Sequence, residues 1–436
     1  MSSPSLALLG GLDPDSDDDL SDSLPLPSLP SASSVSAEIS AAFGGLALSP
    51  GAAAAGSGRL LDQLLSLERP LVTREMVPFL ALDSVAQELC KRVLSPRGGP
   101  EERVGESYKA ALLMSCAQGA PAPPVLAWTG EACRVLVGEL WKAFGEGGEA
   151  HLWHVCHVLK FLFQHHGDAF LSIVGRNKAA VTKHLPPLLR NLEHPAVEGF
   201  LTCLAAQEET NATTDKKWKF ACALAEYRLL LKLAAQVADP ATPPARAQAT
   251  ADATAAIVAA YARDDHGELM FSPLGYCEEL AGDLLRSACG PGKPLALRAT
   301  CAKVLLDIAA KAAEETIQVS PPGQDQYGQV QEARFVKNKM AEIRPLFHKH
   351  LQAHIPLICT FLATPSLLPD APSGVSHPGG GASGTSFTVA RLLLFTLLTD
   401  IIAFRPSRLE EVPAELHRQL VEWFFEYSEN NMFQHQ

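Results

Sequence analysis

The sequence predicts an all-α chain, with antiparallel helices stacked into an α-solenoid. Three observations predict it. Apolar residues recur at steps of three and four along most of the chain after residue 58, the period of a buried helix face. No run alternates apolar and polar residues over the roughly six positions that mark a half-buried strand. Apolar residues make up 47% of the chain, enough for a core, but aromatics only 7% and alanine is abundant. That balance suits packed helices better than sheets.

Residues 1–58 are rich in Ser, Pro, Gly and Ala. They carry Asp13, Asp15, Asp17, Asp18, Asp19, Asp22 and Glu38, and the first cation is Arg59. Such a segment buries too little surface to offset chain entropy, so it is expected to lack fixed structure. Ser16 directly precedes three aspartates, a context that suits acid-directed kinases and makes it a candidate phosphorylation site. A simple solvating tail reads equally well. The net charge of −12 is thus concentrated at the start, and the remainder is near −5, ordinary for a domain.

Order is expected from about Leu60. Leu60, Leu61, Leu64, Leu65 and Leu67 form a short amphipathic helix. Thr73 can cap a turn, and Asp83 a helix through Cys90. Residues 100–103 read as a turn. Helices follow over 104–116 and 129–144, split by Pro121, Pro123 and Pro124. The helix over 151–166 puts Leu152, Val155, Cys156, Leu159, Leu162 and Phe163 on its inner face. Residues 168–174, 185–192 and 195–205 continue the pattern, with Pro186 in a first turn, where proline is tolerated. A single long helix is expected over 215–237, with Phe220, Leu224, Tyr227, Leu231 and Ala234 on one side. After Pro240, Pro243 and Pro244, helices are expected over 245–262, 274–289, 295–317, 333–346 and 351–362. Residues 320–331 and 365–386 read as loops. The second is Gly-rich and long enough to be a surface insertion without fixed structure. Residues 387–404 and 415–430 make the final helical pair. The former is the nearest approach to a membrane span, but Arg391, Thr396, Thr399 and Asp400 interrupt it, so it reads as a core helix.

About fifteen helices of roughly 10–20 residues, joined by short breaks, match the rhythm of an armadillo or HEAT-like array with about 40 residues per unit. The expected organisation is a tail over 1–58 and a helical-repeat domain over 59–436, interrupted at about 365–386.

Chemistry-bearing constellations are scarce. His151, His154 and His157 step by three, but over two steps the side chains drift by about 120°, and no fourth ligand is fixed for a tetrahedral metal. Of His348, His350 and His354, only the last two share a face. Polar helix faces account for both groups, and no metal is predicted. No G-x-S-x-G or phosphate loop occurs, and Glu278 with Glu279, or Glu314 with Glu315, point apart on a helix. No catalytic or cofactor-binding residue is predicted, and the chain is not expected to be an enzyme. The acidic balance lacks the basic footprint of a nucleic-acid binder, and Lys216, Lys217 and Lys219 form only a short cluster. Ten cysteines form no C-x-x-C pair and read as small hydrophobes in a reducing compartment. Residues 6–12 are not preceded by a basic residue, so no signal peptide is read there. The cytoplasm is the expected location, with the nucleus second.

The last segment is the most specific. Leu416, Leu420, Trp423, Phe424 and Tyr427 make one apolar helical face. Phe425 lies off it, and Asn430-Asn431 supplies residues that leave a helix easily. The string resembles the Phe-Phe-x-Tyr-x-x-Asn-Asn-Phe-Leu-His segment of the SAPS family, regulatory subunits of the protein phosphatase 6 type of Ser/Thr phosphatase. Leu61-Asp62-Gln63-Leu64-Leu65, followed by Leu82-Asp83-Ser84-Val85-Ala86-Gln87-Glu88-Leu89-Cys90-Lys91, is similar to the family's leucine helix, aspartate turn and Gln-Glu-Cys-Lys helix. Residues 159–174 and 185–204 track a paired-helix region, and 390–402 with 416–434 match the last pair. Glu429 stands where the family often has an aromatic, and Phe433-Gln434 where it has Leu-His. Family members usually continue with more helices, which marks this chain as a divergent or truncated member. The resemblance implies a non-enzymatic subunit that binds a protein phosphatase 6-type catalytic subunit, directs it to substrates and meets further scaffold proteins. Within the motif Trp423, Phe424, Phe425, Tyr427, Asn430 and Asn431, most residues are expected in the core, with Tyr427, Asn430 and Asn431 at a surface or cap. The alternative is a generic armadillo-like adaptor without a phosphatase partner.

Overall fold

The computed structural model describes residues 50–418, less 68–69, 71, 73–75, 98, 116–127, 146–150, 208, 262–277, 315, 321–322, 325–329, 332–333, 338 and 365–387. Residues 1–49 of the unstructured tail expected over 1–58, the insertion over 365–386, Ser16 and the motif from Trp423 to Asn431 therefore lie outside the described residues, while residues 50–58 are helical, against that expectation.

The first helix, α1 (Pro50–Ser66), starts well before the expected onset at Leu60. Proline opens it, where its missing N–H costs nothing, and four alanines follow. A single turn, α2 (Val77–Leu80), leads to α3 (Asp83–Leu94). Pro100 likewise opens α4 (Pro100–Ser115), so the turn expected at 100–103 is that helix's first turn. Thr129 caps α5 (Gly130–Trp141) by accepting from the Ala132 N–H at 3.1 Å. The chain continues through α6 (Leu152–His165), α7 (Gly167–Val174), α8 (Lys178–Arg190) and α9 (Pro195–Ala206). Next come α10 (Thr214–Tyr227), α11 (Leu229–Ala238), α12 (Pro244–Tyr261), α13 (Glu278–Cys289) and α14 (Leu295–Ala313). The last described helices are α15 (Arg344–Gln352), α16 (Ile355–Ala363) and α17 (Val389–Phe404).

These helices stack in two layers. One runs α4, α6, α9, α12, α14, α17, each helix packed on the next. The other runs α3, α5, α7, α10, α11, α13, then α15 and α16. One contiguous apolar core extends from Leu61 to Leu416. The repeat is visible in the polar contacts between units. Trp128 Nε1 donates to the Leu80 carbonyl, 48 residues away, and Trp141 Nε1 to His184, 43 away. Asn191 Nδ2 reaches Phe144 and Thr210 Oγ1 reaches Phe163, each 47 away, while Tyr261 Oη reaches Ala205, 56 away. Buried donors at one unit satisfy carbonyls of the preceding or following one, which fixes the stacking register as well as the burial. The all-α solenoid is thus the fold.

Five local expectations are corrected. Residues 215–237 are two helices, because Arg228 takes a left-handed backbone (φ 57°) between them. That conformation costs about 1–2 kcal/mol in a non-glycine residue. It turns Leu229, Leu230 and Leu233 into the core. The helix expected at 185–192 begins instead at Lys178, where Asn177 Oδ1 accepts from the Ala180 N–H at 3.0 Å. Pro186 and Pro187 consequently lie inside α8, and burial of Leu185, Leu188 and Leu189 offsets the two missing N–H donors. The helix expected over 295–317 stops at Ala313. Strands were not expected, yet β1 (Thr316–Ser320) pairs antiparallel with β4 (Arg334–Lys337), with Ile317 opposite Val336. Between them β2 (Gly323–Gln324) pairs with β3 (Val330–Gln331). β-Branched Thr316, Ile317 and Val319 favour the strand, and five residues are too few to show a period. β4 and a 3-10 turn (Lys339–Glu342) also stand where most of the helix expected at 333–346 was placed, and α-helix begins only at Arg344. Among the described residues no helix is long and apolar enough to cross a membrane, and α17 is a core helix as expected.

Candidate functional site

The histidine rows resolve into packing. His154 is not on a polar face: it is buried on α6, with Nδ1 2.8 Å from Ser107 Oγ of α4. Ser107 Oγ donates its own proton to the Val93 carbonyl at 3.0 Å, so Nδ1 must be the protonated nitrogen. Burial, reinforced by His151 and His157, pushes the His154 pKa down to about 4. One turn on, His157 Nε2 meets Ser115 Oγ at 2.9 Å. His348 is fully enclosed, stacked on Phe404 at 4.3 Å, with Nε2 3.3 Å from Asp400 Oδ2. Burial lowers its pKa despite the opposing pull of Asp400. No group of three or more His, Cys, Asp or Glu side chains among the described residues is arranged to hold a metal.

The cysteines behave as expected of small hydrophobes. The eight described ones are free thiols, and all but Cys222 are buried. Burial pushes Cys90, Cys156, Cys289 and Cys301 up to about 12, which removes the thiolate that reactivity needs. Arg92 is a buried hub: it bonds Asp62 at 2.7 Å, Glu88 at 3.2 Å and Glu106. It ties α1, α3 and α4 together at the start of the array.

Two surface concavities lie wholly among the described residues. The larger is an open groove of about 770 Å³ where the end of α5 meets α7 and α8. Its walls include Trp141, Ile173 and Pro187, and its rim carries Lys142, Arg176, Lys183 and His184. Trp141 is clamped by its bond to the His184 carbonyl and by edge contacts with Phe144, Phe170 and Phe200. Gly175 lets α10 approach the turn beneath Arg176, since a Cβ there would stand 2.3 Å from Phe220 Cδ2. Lys142 is neutralised by Glu139 at 2.7 Å. Arg176 and Lys183 are exposed and have no carboxylate partner among the described residues. Burial, helped by Lys183, lowers the His184 pKa, leaving that ring neutral at pH 7. Sequence reasoning missed this groove. The available signal was the run 169–192, which holds Arg176, Lys178, Lys183 and Arg190 and no carboxylate in an otherwise acidic chain.

The second concavity, about 340 Å³, is apolar and lies at the end of the array, lined by Phe395, Leu398 and Ile402 of α17 with Leu409, Val412 and His417. His417 lies on the last described helical turn, and the terminal string lies outside the described residues. No protein-family model, curated protein or solved structure matches the chain.

Proposed function

We propose that the chain is a regulatory and scaffold subunit that binds a protein phosphatase 6-type catalytic subunit and directs it to substrates, without phosphatase activity of its own. The observation that carries this reading is the terminal string Trp423-Phe424-Phe425-Glu426-Tyr427 with Asn430-Asn431, which resembles the SAPS segment. The architecture supports it too. A two-layered helical array presents long exposed faces that can hold a catalytic subunit and a second protein together. The histidines described above are engaged in packing and the buried thiols are held protonated, as suits a scaffold. Cytoplasm, with the nucleus second, is the location this role requires.

The test is copurification. Full-length chain used as bait in an extract of its own source is expected to retain the catalytic subunit, identified by mass spectrometry. A chain lacking 419–436 is expected to lose it while keeping its helical circular dichroism. Should other proteins copurify specifically and the catalytic subunit be absent, the generic adaptor reading takes over.

A further inference from the structure

We propose that the basic groove between α5, α7 and α8 is the docking site of the chain's own acidic segment, residues 13–22. Charge complementarity is the first argument. The groove exposes Arg176 and Lys183 without partners among the described residues, and Lys178 opens the helix that carries Lys183. Residues 13–22 carry six aspartates, and no cation occurs before Arg59. The rest of the chain carries enough acid that a groove wall free of carboxylates over 169–192 is a distinct feature. Shape is the second argument. The walls are apolar at Trp141, Ile173 and Pro187; Leu20 interrupts the aspartates, and Leu12 and Leu24 flank them. An acidic segment that carries leucines within and at both ends fits an apolar floor with a cationic rim better than a purely ionic surface does.

Reach is the third argument. α1 packs on α3 and α3 on α5, so the groove lies on the order of 20–30 Å from α1 at about 10 Å per packed helix. The chain between Asp22 and Pro50 spans up to about 90 Å when extended. A tethered segment of this kind sees its site at an effective concentration near 1 mM. Modest intrinsic affinity is then enough to keep the groove filled. The inference does not rest on the phosphatase reading, and it makes the groove a surface that a stronger acidic ligand, or a phosphate on Ser16, would contest or reinforce.

The test uses full-length protein and a fluorescent peptide of residues 11–24. Two chains are compared: the native one, and one with Asp15, Asp17, Asp18 and Asp19 changed to Asn. The peptide is expected to bind the Asn-substituted chain with a micromolar Kd at low salt, and at least tenfold more weakly to the native chain, whose groove is already occupied. Adding Arg176→Glu and Lys183→Glu to the Asn-substituted chain is expected to weaken binding at least tenfold. Both side chains are exposed, so circular dichroism should be unchanged. Raising salt to 0.5 M should weaken binding as well, because these charges are solvent-screened. Equal affinity for the native and Asn-substituted chains overturns the proposal. So does indifference to the two charge reversals, or failure of the peptide to bind either chain.

Discussion

Protonation of His154 should destabilise the array as pH falls. The ring is 9% exposed and stacked on His151 at 4.3 Å, with Tyr108 beyond at 5.7 Å, and its Nδ1 proton is committed to Ser107. Burial and the neighbouring His151 and His157 move its pKa from 6.5 to about 4. In the unfolded chain the same ring titrates near 6.5. Between those values the unfolded state binds more protons, so stability rises with pH across that window and is lost as pH falls through it. The full displacement is worth about 3 kcal/mol, of which about 2 kcal/mol is lost between pH 7.5 and pH 5. The assay is urea unfolding followed by tryptophan fluorescence at the two pH values, with wild type beside His154→Phe. Other buried histidines, among them His184 and His348, titrate in the same direction, so the difference between the two proteins isolates His154. The variant should lose about 2 kcal/mol less than wild type on acidification. Equal losses in the two proteins would refute the assignment of His154 as a buried neutral ring.

Two further predictions address packing. Arg92→Met removes the cation shared by Asp62, Glu88 and Glu106; stripping a buried partner from such a cluster should cost about 3 kcal/mol, read as a lower urea midpoint at pH 7. The deficit should shrink as pH falls below 4.5, because the Glu88 carboxyl is held down by hydrogen bonds from Arg92 and Lys91 that outweigh the opposing effect of its burial. Gly175→Ala drives a methyl into the fully buried Phe220 ring, with an expected cost of about 1–3 kcal/mol; an unchanged melting temperature would show that the turn between α7 and α8 is not the close contact described.

The fold class was readable because helical periodicity and alanine content act locally, along each element. The layering was not, since the hydrogen bonds that set it join residues 43–56 apart whose partners are carbonyls, and a carbonyl leaves no trace in sequence. Arg228 hid the break between α10 and α11 because arginine has no special taste for positive φ; only the core positions of Leu229 and Leu230 require it. Proline misled twice. Pro100 and Pro186 both read as boundary residues, yet one opens α4 and the other sits within α8, held by the apolar residues around it. β1 was too short to show alternation. For function, the histidine rows drew attention through their spacing, while Ser107 and Ser115, the partners that explain two of them, lie on another helix. The groove at Arg176 and Lys183 was legible only as a charge imbalance over 169–192.

The central claim is tested most directly by mixing purified full-length chain with a purified protein phosphatase 6-type catalytic subunit at micromolar concentration and following the mixture by size-exclusion chromatography with light scattering. The account predicts a stable complex that elutes ahead of either component and fails to form when residues 419–436 are removed from an otherwise folded chain. Two separate peaks, with the full-length chain folded and the phosphatase active, would contradict it.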